Sequence, residues 1–392
     1  MKASEIRELL KLLDQPDVIS FAGGIPDPAL FPAQAFSDAL AQSLTGDQAG
    51  QALQYSVSEG YLPLRQWIAA RMGSLGVKCT ADNIVITTGS QQALDFLGKL
   101  FLSPGDTALV GWPTYLGALQ AFNAYEPRYD RLNPMGNRLP ADFKAQAEAA
   151  GGRVKFAYLS GDFANPTGET VTREARERVL DLAEALDIPV IEDAAYQSLR
   201  YEGEEVPPIL ALDLMRHGGD IEKTRTLYCG SFSKTLAPGL RVGWVCGATP
   251  VIGKLVLTKQ AADLHSSTLN QMAIHKVASA DFAGQVARIK QAYQSRRDTM
   301  LKALDAHMPD GVSWTHPDGG MFVWITLPEK FDGADLLAEC LKSERVAFVP
   351  GKAFFADGSG ANTIRLSFSR MAEKDIAEGI ARLGRVVKRK AG

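Results

Sequence analysis

The chain has 392 residues, 46% of them hydrophobic and 22% charged, a balance that belongs to folded globular proteins and excludes disordered, collagen-like and fibrous classes. Its 42 Lys and Arg against 45 Asp and Glu leave a formal net charge of −3. That gives no global attraction to nucleic acid or to an anionic membrane, so any anion site has to be built locally.

The amino terminus, MKASEIRELLKLLDQPDVIS, carries charges throughout and lacks the apolar run of a secretory signal. No later stretch approaches a membrane span. The four cysteines, Cys79, Cys229, Cys246 and Cys340, are widely separated and read as reduced, buried thiols. The five histidines have no metal-ligand spacing. A cytoplasmic protein without metal, nucleic-acid or membrane partners is expected.

In chain order, residues 1–40 contain no strand pair of their own and read as a segment that packs on the smaller second domain or on a neighbouring subunit. Residues 41–284 alternate short apolar runs with helical patterns. Strands are predicted at Asn83 to Thr88, Thr107 to Gly111, Val154 to Ser160, Pro189 to Glu192, Thr226 to Cys229 and Val242 to Cys246. An amphipathic helix is predicted at Arg173 to Leu186. Such alternation predicts an α/β domain, a mostly parallel sheet between helices. From residue 285 to 392 the pattern changes to a long helix, Gln285 to Met308, followed by strands at Gly320 to Leu327 and Thr363 to Ser369, as in a smaller α+β domain.

Ligands of open α/β sheets bind beyond the carboxyl ends of the strands, so the residues after each apolar run are the candidates. Gly89-Ser90-Gln91 opens a helix, whose first N–H groups and positive dipole end suit a phosphate, although a serine there is also an ordinary helix cap. Gly230-Ser231-Phe232-Ser233-Lys234 is followed by Pro238-Gly239-Leu240-Arg241. Two hydroxyls, an amine and a guanidinium at this spacing can bind a phosphate with the amine beside it. A neighbouring cation disfavours the charged lysine and makes it a better nucleophile. Asn165-Pro166-Thr167-Gly168 alone is a turn. Asp193, directly after an apolar run, is a candidate buried and partnered acid.

Taken in order, these segments resemble the fold-type-I pyridoxal 5′-phosphate (PLP) aminotransferases of class I/II, and in particular the 2-aminoadipate and kynurenine branch. The likeness extends to Phe21–Pro32, Leu53–Arg65, Asp263–Gln271, Gly319–Trp324 and Asn362–Phe368. It implies an aspartate aminotransferase-like fold and a ping-pong exchange between an L-amino acid and a 2-oxo acid. Glutamate and 2-oxoglutarate form one expected pair, with 2-aminoadipate, an aromatic or a branched-chain amino acid on the other side.

By the same resemblance, Lys234 is the Schiff-base lysine and proton carrier, and Asp193 holds the pyridine nitrogen protonated. Tyr196 and Asn165 meet the ring hydroxyl and Tyr115 stacks on the ring. Ser90, Gln91, Ser231, Ser233 and Arg241 form the phosphate cup. Tyr55 reaches the phosphate of a neighbouring subunit, which implies a homodimer with shared sites. Arg365 pairs with the substrate α-carboxylate, near Gly24. Arg7 either meets an acidic substrate side chain or pairs on its own helix with a nearby glutamate. His265, Phe322 and Trp324 read first as structural. Many relatives have Asp-Asp-Pro-Tyr where this chain has Asp193-Ala194-Ala195-Tyr196, which leaves the local backbone and the substrate fit open. A PLP lyase, or a non-catalytic effector-binding protein, is the alternative; the chain enters the pattern almost at residue 1, without a preceding DNA-binding domain.

Overall fold

A computed structural model describes residues 17–391. Arg7 lies outside the described residues. The framework is a seven-stranded sheet in the order β2-β8-β7-β6-β5-β3-β4. Its strands are β2 (Ile84–Thr87), β3 (Thr107–Val110), β4 (Arg128–Arg131), β5 (Val154–Leu159), β6 (Val190–Asp193), β7 (Thr226–Ser231) and β8 (Gly243–Cys246). β8 alone runs against its neighbours β2 and β7. The other strands therefore end on one edge, and β8 begins there.

Both faces are covered, as uniformly buried strands such as Ile84–Thr87 require. On one face Val85, Ala108, Tyr158, Ile191 and Val245 pack with α4 (Ser90–Phe101), α5 (Leu116–Phe122) and α9 (Thr249–Ala262). On the other, Ile84, Ile86, Tyr228 and Trp244 pack with α3 (Leu62–Ser74), while Leu109, Ala157 and Val190 pack with α7 (Arg173–Leu186). α7 shows how locally this is encoded. Thr172 caps its first turn by accepting from the Ala175 N–H, and Val179, Leu180, Leu182, Ala183 and Leu186 form its buried stripe.

β4 was not anticipated. Its sequence, RYDR, has no buried residue because it is the edge strand, so neither apolar run nor alternation marks it. Asn123 to Tyr125 and the left-handed Glu126 lead into it.

A second, four-stranded sheet has the order β12-β13-β10-β9, with β9 (Ser313–Trp314), β10 (Phe322–Thr326), β12 (Val349–Pro350) and β13 (Thr363–Ser367). It packs with the long α10 (Thr268–His307), α11 (Gly333–Ser343) and α12 (Glu373–Ala391) in one core. α10 is two helices that meet at Asp281, whose backbone is non-helical (φ −156°, ψ 54°); Ser267 caps the first, and Asp281 accepts from the Gly284 N–H at 2.9 Å at the start of the second, which begins close to the expected Gln285. The early chain contributes β1 (Ile19–Ser20), which pairs in parallel with β11 (Val346–Ala347). The N–H of Phe21 continues that ladder to the Ala347 carbonyl, which carries Ala22 and Gly24 toward the strand edge of the large sheet.

Candidate active site

The ends of β2, β3, β5, β6 and β7 and the start of β8 surround a cavity of about 310 Å³. Twelve of the residues singled out from sequence line it: Gly24, Ser90, Gln91, Tyr115, Asn165, Asp193, Tyr196, Ser231, Ser233, Lys234, Arg241 and Arg365.

One end of the cavity is built for an anion. Gly89 holds the N-cap position of α4 in a positive-φ conformation (φ 81°) and supplies no side-chain cap, so Ser90 is the first helical residue and not the cap. The early N–H groups of this helix remain available, with a dipole equivalent to roughly half a positive charge. Glycine is required at this turn, since a Cβ on Gly89 would lie 2.3 Å from Arg241 Nη2. Arg241 is left-handed (φ 54°) and donates to the Pro238 carbonyl at 3.2 Å and weakly to that of Thr88. That turn lays its guanidinium across the Gly89 backbone. Ser231 Oγ accepts from the Ser233 N–H at 3.1 Å. Gln91 spends its amide on the Gly117 carbonyl, 2.6 Å away, so it faces the cavity mainly with backbone.

The middle is flat and polar on its inner side. Tyr115 lies against Gly117, where any Cβ would meet the ring carbon Cζ at 2.4 Å; burial raises its hydroxyl pKa to about 12. Across from it is Asp193, the last residue of β6 and 5% exposed. Its Oδ2 accepts from the Tyr158 hydroxyl at 2.8 Å, and its Oδ1 has no partner. Burial is the main reason its carboxyl pKa is raised. A buried carboxylate oxygen without a donor is costly, and a cationic N–H would relieve it.

Lys234 Nζ donates to the Gly24 carbonyl at 3.0 Å and stands 5.7 Å from the Tyr196 ring centroid. Its pKa is lowered from 10.5 to about 8, first by burial, then by Arg365 and Arg241. The expected neighbouring cation is thus present twice, and Arg365 acts more strongly than the sequence neighbour Arg241.

At the far end, Arg365 on β13 is 2% exposed. It donates through Nη1 to Asn165 Oδ1 at 2.8 Å and through Nη2 to the Ala22 carbonyl at 2.9 Å, and Nε has no partner. Among the described residues no carboxylate lies within ion-pair distance of it. Burial lowers its pKa to about 10. The guanidinium is stacked 4.3 Å from the Phe322 ring centroid, so Phe322, read from sequence as core, also forms the floor of this cation site. Gly24 lies against the same ring, where a Cβ would come within 3.1 Å.

Tyr55 does not line the cavity: it is 79% exposed and meets the edge of His265, with centroids 6.0 Å apart. Arg7 is outside the described residues. Conversely, Tyr158 and Ser160 were missed. Ser160 Oγ donates to the Asp193 carbonyl at 3.0 Å, so both residues brace Asp193 from the neighbouring strand. The available signal was their place at the end of β5, one strand from the acid, and Tyr158 stands beside Ile191 in register.

Comparison with known proteins adds the following. The family model described as aminotransferase class I and II matches residues 16–383. An aromatic-amino-acid aminotransferase of Thermococcus litoralis is 43% identical, covering 99% of this chain and 92% of that protein. A 2-aminoadipate transaminase of Thermus thermophilus is likewise 43% identical, over 99% of this chain and 94% of its own. Among solved structures, an alpha-aminoadipate aminotransferase of Thermus thermophilus, complexed with N-(5′-phosphopyridoxyl)-L-leucine, aligns with a TM-score of 0.87 at 40% identity, over 99% of this chain and 95% of the other.

Proposed function

Because the chain belongs to the class I and II aminotransferases, we propose that it moves the amino group of an L-amino acid to a 2-oxo acid in two successive half-reactions. Glutamate and 2-oxoglutarate form one pair, and 2-aminoadipate, an aromatic or a branched-chain amino acid the other. The cofactor is pyridoxal 5′-phosphate. The observation that carries this reading is a single cavity holding a buried amine, a carboxylate oxygen without a donor and a buried arginine without an acid.

The residues fit the cofactor group by group. The α4 N-terminus with Ser231, Ser233 and Arg241 would hold the phosphate, Tyr115 would cover the ring face, and Asp193 Oδ1 would accept from the protonated pyridine nitrogen. When bound, the cofactor supplies an electron-accepting ring that stabilises negative charge on the substrate carbon. Lys234 would hold the cofactor through Nζ, and the same amine, when free, would take and return the α-proton of the substrate. Asn165 and Tyr196 would hold its ring hydroxyl. Arg365 turns its fork to the substrate carboxylate and orients the α-carbon over Lys234.

Leu53, Tyr55 and Val57 are exposed by 74%, 79% and 55%, an apolar strip that supports a homodimer in which Tyr55 completes the neighbouring phosphate site. The proposed division of the chain is 1–40, 41–284 and 285–392, supported near its second boundary by the non-helical backbone at Asp281. Arg7 is proposed to meet acidic substrate side chains; Arg7→Ala should then weaken acidic substrates selectively, and an equal loss for neutral ones would leave it a structural role.

The test is a donor screen. Each amino acid is added alone to PLP-loaded protein, and conversion of the cofactor to pyridoxamine phosphate is measured with release of one equivalent of oxo acid. Failure of every donor to convert it would refute amino transfer.

A further inference from the structure

Behind the anion-binding end of the cavity, two residues break local rules together. Lys259, in the last turn of α9, is 0% exposed, and lysine is almost never fully buried unless paired. Asp263 holds the C-cap position of the same helix, where the dipole disfavours a carboxylate. The two pair at 2.9 Å, and among the described residues no other carboxylate is within ion-pair distance of Lys259. Apolar residues of similar volume hold helices together at least as well as a buried ion pair, so packing of α9 does not by itself call for these charges. Conflicts of this kind concentrate at functional sites.

What the pair holds is Thr88, the residue before Gly89. Lys259 Nζ donates to Asp263 Oδ1 at 2.9 Å, to Asp263 Oδ2 at 3.0 Å and to Gln92 Oε1 at 2.9 Å. The Gln92 amide is thereby fixed on both sides: its Nε2 donates to Asp263 Oδ2 at 2.7 Å, and its Oε1 accepts from the Thr88 N–H at 2.9 Å. The Thr88 hydroxyl lies 3.0 Å from Asp263 Oδ2 and 2.9 Å from Ser266 Oγ, and the Thr88 carbonyl faces Arg241 Nη2. Every polar group of Thr88 is engaged. The next residues, Gly89 and Ser90, form the turn that presents the early N–H groups of α4. Thr88, Gln92, Lys259 and Asp263 do not themselves line the cavity, so any effect they have on a bound anion passes through that turn and through Arg241.

We propose that Lys259 is a positioning residue for the cofactor phosphate: through Asp263 and Gln92 it fixes Thr88, and with it the directions in which the α4 N–H groups and Arg241 converge on the anion. The inference rests on the PLP reading of the cavity. A phosphate held by several donors at once depends on their mutual placement, and misdirecting one charge-assisted hydrogen bond weakens binding by about tenfold or more.

The test uses the full-length apoprotein with three probes: inorganic phosphate, PLP, and pyridoxal, which lacks the phosphate. Phosphate affinity is read from the concentration that half-saturates the rise in melting temperature, and aldehyde capture at Lys234 from absorbance and borohydride trapping. Lys259→Met should weaken phosphate and PLP by about tenfold or more and leave pyridoxal capture as in wild type. Gln92→Leu keeps the Lys259–Asp263 pair, frees the Thr88 N–H and should show the same phosphate-selective loss, so the test stands even if Lys259→Met fails to fold. A folded variant of either kind that binds phosphate and PLP as tightly as wild type overturns the proposal, as does a loss that pyridoxal shares in equal measure. Wild-type protein that captures neither PLP nor pyridoxal would refute the cofactor reading and this inference with it.

Discussion

Lys234 should capture the cofactor near neutral pH because its amine titrates at about 8 in place of 10.5. Only the neutral amine attacks a carbonyl. At pH 7 a group with a pKa of about 8 is neutral in about one molecule in ten, against roughly three in ten thousand for an ordinary lysine. That difference makes the reactive fraction about 300-fold larger. The informative perturbation is Arg365→Met, which removes the stronger of the two cations acting on Lys234. Loss of a positive neighbour raises the lysine pKa, so the capture rate at pH 7 should fall, by about tenfold for each unit of upward movement, while the plateau at high pH is kept. Stopped-flow absorbance of apoprotein mixed with PLP, from about pH 6 to about pH 10, reads the inflection; borohydride trapping and peptide mass analysis fix the adduct at Lys234. A wild-type inflection near that of free lysine, or an unchanged inflection in Arg365→Met, would refute the reasoning. Stability follows the same sign. A lysine whose folded pKa is depressed contributes stability above its unfolded value that is lost as pH falls through about 8, so the melting temperature of the apoprotein should decline across that window.

Asp193→Asn should still capture PLP but lose transfer by about 10²–10³-fold, because an uncharged partner no longer favours the protonated ring nitrogen; single-turnover spectra separate the two steps, and near-normal turnover would remove Asp193 from the mechanism. Arg365→Lys replaces a fork by a point charge and should lower kcat/KM for both the amino and oxo acid by roughly 10–150-fold, the equivalent of one charged hydrogen bond. Mixing Lys234→Ala protomers with Tyr55→Ala protomers should restore about a quarter of wild-type activity, since half of the dimers then carry one intact site; no recovery in mixtures shown to exchange subunits would place Tyr55 outside the neighbour's site. Arg176→Met leaves Asp162, 2.9 Å from the lost guanidinium and 4% exposed, without its closest partner. Urea unfolding should show a loss of about 3–5 kcal/mol.

The parts of the fold legible in sequence were those where one local pattern decides the element. α7 has both a cap and a buried stripe, and its observed bounds, Arg173–Leu186, are those expected. β5 to β8 are apolar runs within a residue or two of the expected bounds. What escaped is set by distant pairing. β4 has only β3 beside it, and β1 and β11 are two-residue strands that exist because they meet each other. Tyr158 could be seen as strand but not as the donor to Asp193, because that role depends on β5 and β6 being neighbours in space. The same limit holds for Phe322, whose ring supports Arg365 across the β10–β13 pair.

Buried arginines show why composition and motif alone do not separate structure from chemistry, and what does. Arg176 is fully buried, and its three nitrogens donate to the carbonyls of Val171, Pro207 and Gly161, with Asp162 alongside. Two of those carbonyls stand at the two ends of the loop that carries Asn165, so this guanidinium clamps the loop and has nothing left for a ligand. Arg365 is equally buried but keeps Nε unbonded beside a cavity. Six buried side-chain polar atoms lack a partner among the described residues. Two of them, Asp193 Oδ1 and Arg365 Nε, belong to residues that line the same cavity. Folded proteins satisfy nearly all such atoms. That two of the six meet in one cavity is more than folding alone requires, and it is the pattern that a bound cofactor and substrate would complete.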